Sequence, residues 1–497
     1  MKRYLSPAGI ITAGLIGSQI FFTIFVYKSN FSLLKKLEAV SETGYLAVPN
    51  PHIMAGLDGF LPAFCGGLFF TLTVGAGLTL GVFLLAYIWH SIMGRRPEIL
   101  LLAVIIWEIG IYKSFKTETP VILPAVFIFI PFMVAALTFI WAREKSLLKW
   151  KFIVTHTVVL LIIAGAWLPN INADVFVNIR DQVLLTNPVG RVINSFYYRY
   201  TLYPAEAFKP LHQKQLKTAR IKIDAPELSS RLEKTLRRLD YLPVETDTPM
   251  DLEVSRKGSQ LLFAHQSQTV LRVKISRFFA SPASTLKEYS SRTDRMQFLR
   301  QFTFFSLILA GPLLLYFLIH MLVSTGLFMI RSQGIRTISA AVICVLVGVW
   351  IAAALYRFQH ESNAPQNFEA LRPLLQSTAW EERVKALKRI DAGDIDITAH
   401  ASVLAELKES PYTAERYWTA KALAHGDSEK TYRMLTRLLA DPHPNVVCMA
   451  LYSLGKRDDR RAVEKIRKVL ISSEHWYIQW YAYNALKELG WIQPKSV

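Results

Sequence analysis

The chain has 497 residues, 52% of them hydrophobic, with 57 Lys/Arg against 38 Asp/Glu for a formal charge of +19. That length leaves room for about three domains at the usual ~150 residues each, and three scattered cysteines, Cys65, Cys344 and Cys448, exclude a disulfide framework or a metal cage. The charge is dispersed as well, with 21 Lys/Arg against 13 Asp/Glu over 170–301 and 21 against 18 over 357–497, so the expected polyanion is a bilayer with anionic headgroups and not nucleic acid.

Residues 8–27 are almost free of charge and follow Met1-Lys2-Arg3. The run is longer than the ~7–15 residues of a signal-peptide core and no cleavage site follows, which predicts a retained signal anchor. Further runs lie at about 62–92, 120–141, 152–169, 302–330 and 337–356, with a shorter one at 98–112. About 20 apolar residues cross ~30 Å of hydrocarbon, so these runs predict seven spans. Gly66, Gly67, Gly75, Gly77 and Gly81 in the second run predict close helix packing, the last two in GxxxG spacing. Pro124, Pro131 and Gly311-Pro312 predict kinks. Glu108, His156 and His320 are the polar groups of interest in these runs. An ionisable group at that depth raises a proton or ion role, against a plain packing or interface role.

Lys2, Arg3, Arg95, Arg96, Arg143, Lys145, Lys149, Lys151, Arg331 and Arg336 fall on one side of the predicted spans. Lys28, Lys35, Lys36, Lys113 and Lys116 fall on the other. The positive-inside rule then predicts a cytoplasmic amino terminus, with the 170–301 loop and the carboxy-terminal tail on the outer side. In a bacterial inner membrane that side is the periplasm.

After the fifth run, Phe196 to Pro204 is dense in aromatic and basic residues, including Tyr197, Tyr198, Arg199, Tyr200 and Tyr203. Such residues suit the water–lipid boundary, so about 175–212 is expected to lie along the membrane, or else to form an aromatic core. Residues 218–277 predict a small α+β module: a strand at Thr218–Asp224, a helix from Pro226, and strands at Leu252–Arg256 and Val270–Ile275. Lys257-Gly258 supplies a turn.

The last third repeats. Ala-Leu recurs at Ala386-Leu387, Ala422-Leu423, Ala450-Leu451 and Ala485-Leu486, at spacings of 36, 28 and 35 residues. The clearest copy runs from Asp441-Pro442-His443-Pro444 to Gly455. Asp and Pro start its helix, Val447, Ala450, Leu451 and Leu454 form a buried stripe, and Gly455 is expected to end it in a left-handed turn. Arg461 to Ile471 supplies a second helix, and another copy runs from Glu474-His475-Trp476 to Gly490. Earlier copies are degenerate, Trp380 to Ile390 lacking a terminal glycine. On these residues, about 370–492 resembles the short bacterial HEAT repeats also seen in phycobilisome-lyase-type proteins. The resemblance implies a stacked α-solenoid that binds another protein; no motif supports lyase chemistry. Trp476, Tyr477, Trp480, Tyr481 and Tyr483 make the last copy aromatic, which predicts either a binding face or a cap meeting the membrane or the α+β module.

No phosphate loop, HExxH, GxSxG, CxxC or GxGxxG signature occurs, so catalytic, cofactor and metal residues are expected to be none. The expected fold is a multi-pass α-helical membrane protein with a small extramembrane α+β module and a carboxy-terminal α-solenoid of HEAT-like repeats. Its expected divisions are 1–169, 170–217, 218–300, 301–357 and 365–497. The expected function is a membrane-anchored protein-binding scaffold or adaptor, more plausibly a complex subunit than an enzyme. The competing class is a transporter or membrane enzyme using the intramembrane polar residues, with the repeats regulatory.

Overall fold

Apolar runs of this length satisfy their backbone polar groups as helices, and that is the architecture in the computed structural model of the chain. It describes residues 6–91, 93, 95–115, 119–144, 150–171, 175–245, 250–330, 332–359 and 367–495. Lys2, Arg3, Lys116, Lys145, Lys149 and Arg331 from the orientation count lie outside the described residues.

Helix α1 spans Pro7–Glu42, started by the Ser6 hydroxyl, which accepts from the Gly9 amide at 3.1 Å, and by proline in its first turn. The bundle continues with α2 (Phe60–His90), α3 (Pro97–Ser114), α4 (Ile122–Glu144) and α5 (Trp150–Trp167). Two short helices follow, α6 (Pro188–Tyr200) and α7 (Leu202–Phe208). Among the described residues, five helices are long and apolar enough to cross a membrane: α1, α2, Ile122–Ala142, Gln297–Gly326 and Gly334–Tyr356. The other two of the seven expected runs, in α3 and α5, do not meet that measure by themselves. Helix α5 qualifies only with Val175–Leu184, from which it is bent by 104°. Helix α3 carries Glu98, Glu108 and Lys113 within 18 residues.

Even so, α3 runs the length of the bundle. At its start the Arg96 carbonyl accepts from the Trp89 indole at 2.8 Å, and Trp89 packs on Phe139 late in α4. Past its other end Phe115 packs on Phe127 early in α4 and on Phe298, both at 5.3 Å. The ends of α3 thus lie at opposite ends of the bundle, and the chain path alternates direction through every long helix.

The glycines of α2 work as spacers, though differently from a GxxxG pair. A Cβ on Gly67 would stand 2.8 Å from the Thr23 amide nitrogen of α1. One on Gly77 would stand 2.1 Å from the Ser306 hydroxyl, whereas Gly81 has nothing within 4 Å. Gly77 and Gly81 therefore do not share a contact. A π-helical turn at Thr71–Gly75 re-aims the residues that follow it. The later helices run uninterrupted through Pro131 and Pro312.

The sheet module has five strands, β1 (Lys217–Lys222), β2 (Tyr241–Pro243), β3 (Leu252–Lys257), β4 (Gln260–His265) and β5 (Gln268–Lys274). Their order is β2-β1-β3-β4-β5, with β1 parallel to both neighbours and the rest antiparallel. Helices α8 (Pro226–Arg238) and α9 (Pro282–Thr293) complete it. Gly258, at φ +60, turns β3 into β4. Strands β2 and β4 go beyond the sequence expectation, because Leu261-Leu262-Phe263-Ala264 is a short continuous apolar run without clear alternation. Helices α10 (Gln297–Gly326) and α11 (Gln333–Gln359) return to the bundle.

The tail stacks helix pairs: α12 (Phe368–Leu375) with α13 (Trp380–Ala392), α15 (Glu429–Leu438) with α16 (Pro444–Lys456), and α17 (Val463–Ser472) with α18 (Trp476–Glu488). Between α13 and α15, α14 (Thr413–Ala422) follows 3₁₀ turns at Thr398–His400 and Leu407–Glu409 in place of a full first helix. The second helices pack in series, α13 on α14, α14 on α16 and α16 on α18. All four Ala-Leu pairs are buried there.

Two details of the clearest copy differ from the sequence reading. Helix α16 starts at Pro444 with His443 as its cap, while Asp441 holds Arg416 at 2.7 Å. Gly455 lies inside α16, where a Cβ would meet the Ala485 Cα at 2.9 Å, and the left-handed turn belongs to Asp458 at φ +52. Its glycine serves close helix packing. Helix α13 also runs on to Ala392 and is capped by Gly393, beyond the Ile390 boundary expected.

Candidate interaction surface

Three of the four repeats carry a polar device at the start of the second helix, the buried Val447 holding the matching place in α16. Arg383 donates to the Ser377 carbonyl, six residues back, and to the buried Glu415 of the next repeat. Arg416, 33 positions on, donates to the Ser410 carbonyl at 2.7 Å and to Asp441 of its successor. In the last repeat Gln479 takes this place, donating to the Ser473 carbonyl at 2.7 Å. It has no successor repeat. Its side-chain oxygen instead accepts from the Asn50 amide at 2.8 Å, in the loop between α1 and α2. The Asn50 side chain in turn donates to the Ile471 and Ser473 carbonyls at 2.8 and 3.0 Å. The link that earlier repeats make to their neighbour is made here to the bundle.

The aromatic residues of the last repeat sit at the same junction. Trp476 is 4% exposed, belongs to the bundle core and meets Tyr203 edge-on at 5.0 Å. Tyr477 packs on Tyr198 at 4.9 Å and meets the Thr201 hydroxyl at 3.2 Å. The Trp480 carbonyl accepts from Gln215 at 3.0 Å, and Tyr481 packs beside Trp480. Tyr483 donates to Asp240 of the sheet module at 2.7 Å, and Lys487 pairs with the same carboxylate at 2.9 Å. These five side chains are engaged within the chain. Of the two sequence readings, this geometry is the cap that meets the bundle and the α+β module.

A buried ionic knot anchors the other end. Asp181, wholly buried, accepts twice from Arg180, at 2.9 and 2.7 Å. Its second oxygen accepts from the Trp418 indole at 2.8 Å and lies 3.4 Å from the Lys388 ammonium. The Arg180 guanidinium stacks over Tyr417 at 3.8 Å. Burial disfavours its charge, but Asp181, Tyr417 and Tyr198 outweigh that and raise its pKa above the ordinary arginine value. Arg180, Asp181, Trp418 and Asn50 are not among the residues singled out from the sequence. The one local signal was a charged pair flanked by Ile179 and Val183 in an otherwise apolar stretch.

With the second helices turned to the bundle, the first helices face outward. Helices α15 and α17 expose Lys430, Arg433, Arg437, Lys465, Arg467 and Lys468, with Glu429 and Glu464 as their acids. Arg433 pairs with Glu429 and Arg467 with Glu464. Lys430, Arg437 and Lys468 form no ion pair among the described residues, and Lys465 only stacks over Tyr432 at 4.9 Å. The outward face is basic.

The interfacial candidates divide. Helix α6 is capped by Asn187, whose side chain accepts from Gly190 at 2.7 Å. It exposes Val189 and Val192, both 70% accessible, with Ile193 and Phe196, flanked by exposed Arg191 and Arg199. Tyr197 is on this outer side, and Arg199 lies 5.8 Å from the Tyr200 ring. Tyr198 and Tyr203 turn inward, so the segment has both an outer apolar face and an aromatic inner one.

The bundle's polar residues separate as well. The His156 Nδ1 and Tyr316 hydroxyl are 2.6 Å apart, and the His156 and His320 rings meet edge-on at 4.8 Å. Glu108 is not with them. Helix α3 leans on α4 through Trp107, Ile111 and Phe115, and Glu108, one position on from Trp107, points outward and is exposed. Among the described residues, no group of three or more His, Cys, Asp or Glu could hold a metal ion.

These features define a class, a helical-repeat interaction module carried on a bundle of long apolar helices. Residues 401–495 match the family model of HEAT repeats. The pair α12 and α13 lies before that range and stacks on α14 in the same way. No curated protein and no solved structure matches the chain.

Proposed function

We propose that this chain is a multi-pass membrane protein that holds a HEAT-repeat scaffold at the bilayer surface, its basic outward face docking an acidic surface of another protein. The observation that carries this reading is the division of the repeats. Helix α18 is engaged by the α1–α2 loop, α6 and the sheet module, and α13 and α14 by Asn178 and Asp181, which leaves α15 and α17 as the free face. Membrane insertion is supported by the bundle's exterior, where Leu101, Leu102, Phe304, Phe305, Leu309, Leu346 and Trp350 are exposed. A water-soluble protein does not leave so large an apolar surface bare. The outer face of α6, apolar with flanking arginines, fits a helix lying at the headgroups.

The alternating path through α1, α2, α3, α4, α5, α10 and α11 supports seven crossings, with α3 as a charged third one. On that path the sheet module and the repeats would lie opposite the amino terminus, and the positive-inside count supports that side as the periplasm of a bacterial inner membrane. Transport or membrane chemistry is the second reading, favoured by the His156–Tyr316–His320 cluster alone.

The test is quantitative cross-linking of the full-length protein in its membrane, comparing wild type with the Lys465→Glu, Lys468→Glu double variant. Reversal of two charges on the docking face is expected to reduce partner cross-links about tenfold or more, with wild-type yield falling as salt rises. Unchanged cross-links in the double variant would remove α15 and α17 as the docking face.

A further inference from the structure

A cavity of about 270 Å³ lies where α1, α7, the sheet module and the last repeat meet. One stripe of α1 lines it: Phe25, Lys28, Ser29, Ser32, Lys36 and Val40, at the three- and four-residue spacing of a single helix face. Lys214, Asp251 and Glu206 close it on the module side, and Trp476, Met296 and Ile122 on the bundle side. One end is therefore charged and the other apolar.

The charges do not balance. Asp251 is taken by Lys36, and it also accepts from the Thr218 amide at 3.0 Å. Glu206 is taken by Lys209 at 3.0 Å. Lys28 and Lys214 line the cavity with no hydrogen bond or ion pair among the described residues. Burial, with Lys36 close by, pushes the Lys214 ammonium below the ordinary lysine range, and the nearby Glu206 and Asp251, each already paired with another lysine, only partly offset this.

The depth of the cavity also matters. Residues 8–27 of α1 carry no charge, and 20 residues at 1.5 Å rise cover roughly 30 Å, the thickness of the hydrocarbon. Lys28, the first charge after that run, stands at the bilayer edge if the bundle spans the membrane.

We propose that this junction cavity binds a phosphate-bearing anionic group, held by Lys28 and Lys214 and by the Ser29 and Ser32 hydroxyls, as the headgroup of a lipid whose chains leave along the apolar end. The proposal rests on the membrane reading above. A phosphate headgroup supplies the missing counter-charge, and its glycerol and acyl portion matches the side formed by Phe25, Ile122 and Met296. Occupied, the site would tie α1, the sheet module and the last repeat together, making scaffold geometry sensitive to anionic lipid.

The experiment uses the full-length protein in phosphatidylcholine nanodiscs, with phosphatidylglycerol added in one arm and inorganic phosphate in another. Retained lipid is read by native mass spectrometry and stability by thermal unfolding. Phosphatidylglycerol is expected to be retained and to raise the unfolding midpoint. Lys214→Met is expected to weaken that retention about fivefold or more, the scale of one lysine at a headgroup. It should leave the protein in pure phosphatidylcholine as stable or more so, because a poorly solvated cation has been removed. A purely structural lysine would instead lower stability in every arm. Lys234→Met, exposed on α8 and outside both the cavity and the docking face, is expected to change nothing. Equal phosphatidylglycerol retention by Lys214→Met and wild type would overturn the proposal. Lys214-dependent stabilisation by phosphate alone, without lipid retention, would overturn the lipid as occupant. Failure to insert into discs would overturn the membrane reading itself.

Discussion

Replacing Asp181 by alanine is expected to loosen the repeats from the bundle and to cost about 3–5 kcal/mol of stability, the scale for breaking a buried ion pair from one side. The damage comes from what remains behind. Arg180 is nearly buried and keeps its charge, and without Asp181 it has lost two hydrogen bonds and its counter-charge together. The Trp418 indole and the Lys388 ammonium lose a partner in the same step. Asp181→Asn should be nearly as harmful, since the neutral amide restores shape but not charge. Trp418→Phe removes a single charge-assisted bond and should cost about 1.5–3 kcal/mol. Thermal unfolding and limited proteolysis of the purified full-length protein measure all three. A change below about 0.5 kcal/mol for Asp181→Ala, the range of ordinary surface substitutions, would mean that the knot does not hold the junction.

Acidification from pH 7 to 5 is the second large effect expected. His443 and His475 stand at the starts of α16 and α18, facing the same junction. Burial, then Arg416, Arg180 and Arg191 against the opposing pull of Asp441, takes His443 down to about 4. Burial, then Arg199 and His443, takes His475 down to about 4 as well. Both are neutral in the fold, and the His443 Nδ1 must be unprotonated to accept from the Asn445 amide. Below an unfolded value near 6.5 the unfolded chain binds protons that the fold refuses. Stability is therefore complete above about pH 6.5, falls as pH drops toward 4, and levels below that. At pH 5 each histidine accounts for a loss of roughly 2 kcal/mol at 1.36 kcal/mol per pH unit. Asp251 acts in a separate window. The Lys36 and Lys214 charges outweigh its burial and hold its carboxyl down to about 2, so its contribution is intact above about pH 4 and lost only below. Denaturation of wild type and the His443→Gln, His475→Gln double variant at pH 7 and 5 measures the difference. A wild type equally stable at both values, or a double variant with the same slope, would contradict the assignment.

How much of this was legible in the chain depends on the range of the interaction. Ala450-Leu451 and Ala485-Leu486 announced stacked helices because their burial repeats with the helix pairs, and period is a local property. The matching Arg383–Ser377 and Arg416–Ser410 pairs, 33 residues apart, were also in plain view but were not read as repeat marks. Gly67 was read as a packing residue, yet which helix it met was not, since that depends on Thr23, 44 positions away. Trp476 and Tyr483 left two readings open because an aromatic face looks alike whether its partner is another protein or the same chain. What decided their place was Tyr203 and Asp240, residues more than 200 positions earlier. The cavity was invisible for the same reason, its walls coming from α1, α7, the sheet module and α18. Glu108 shows the opposite case, where apolar content alone suggested an ion site and the helix face it occupies did not support one.

The central claim is that the aromatic face of the last repeat is engaged by its own chain. A photo-cross-linking phenylalanine analogue placed at Tyr477 of the full-length protein in its membrane, with products mapped by peptide mass spectrometry, tests it most directly. The account predicts cross-links to the 196–203 segment of the same polypeptide, where Tyr198 stands 4.9 Å from that ring. Cross-links to a different protein, with none to 196–203, would contradict it and return the aromatic face to the role of an open docking surface.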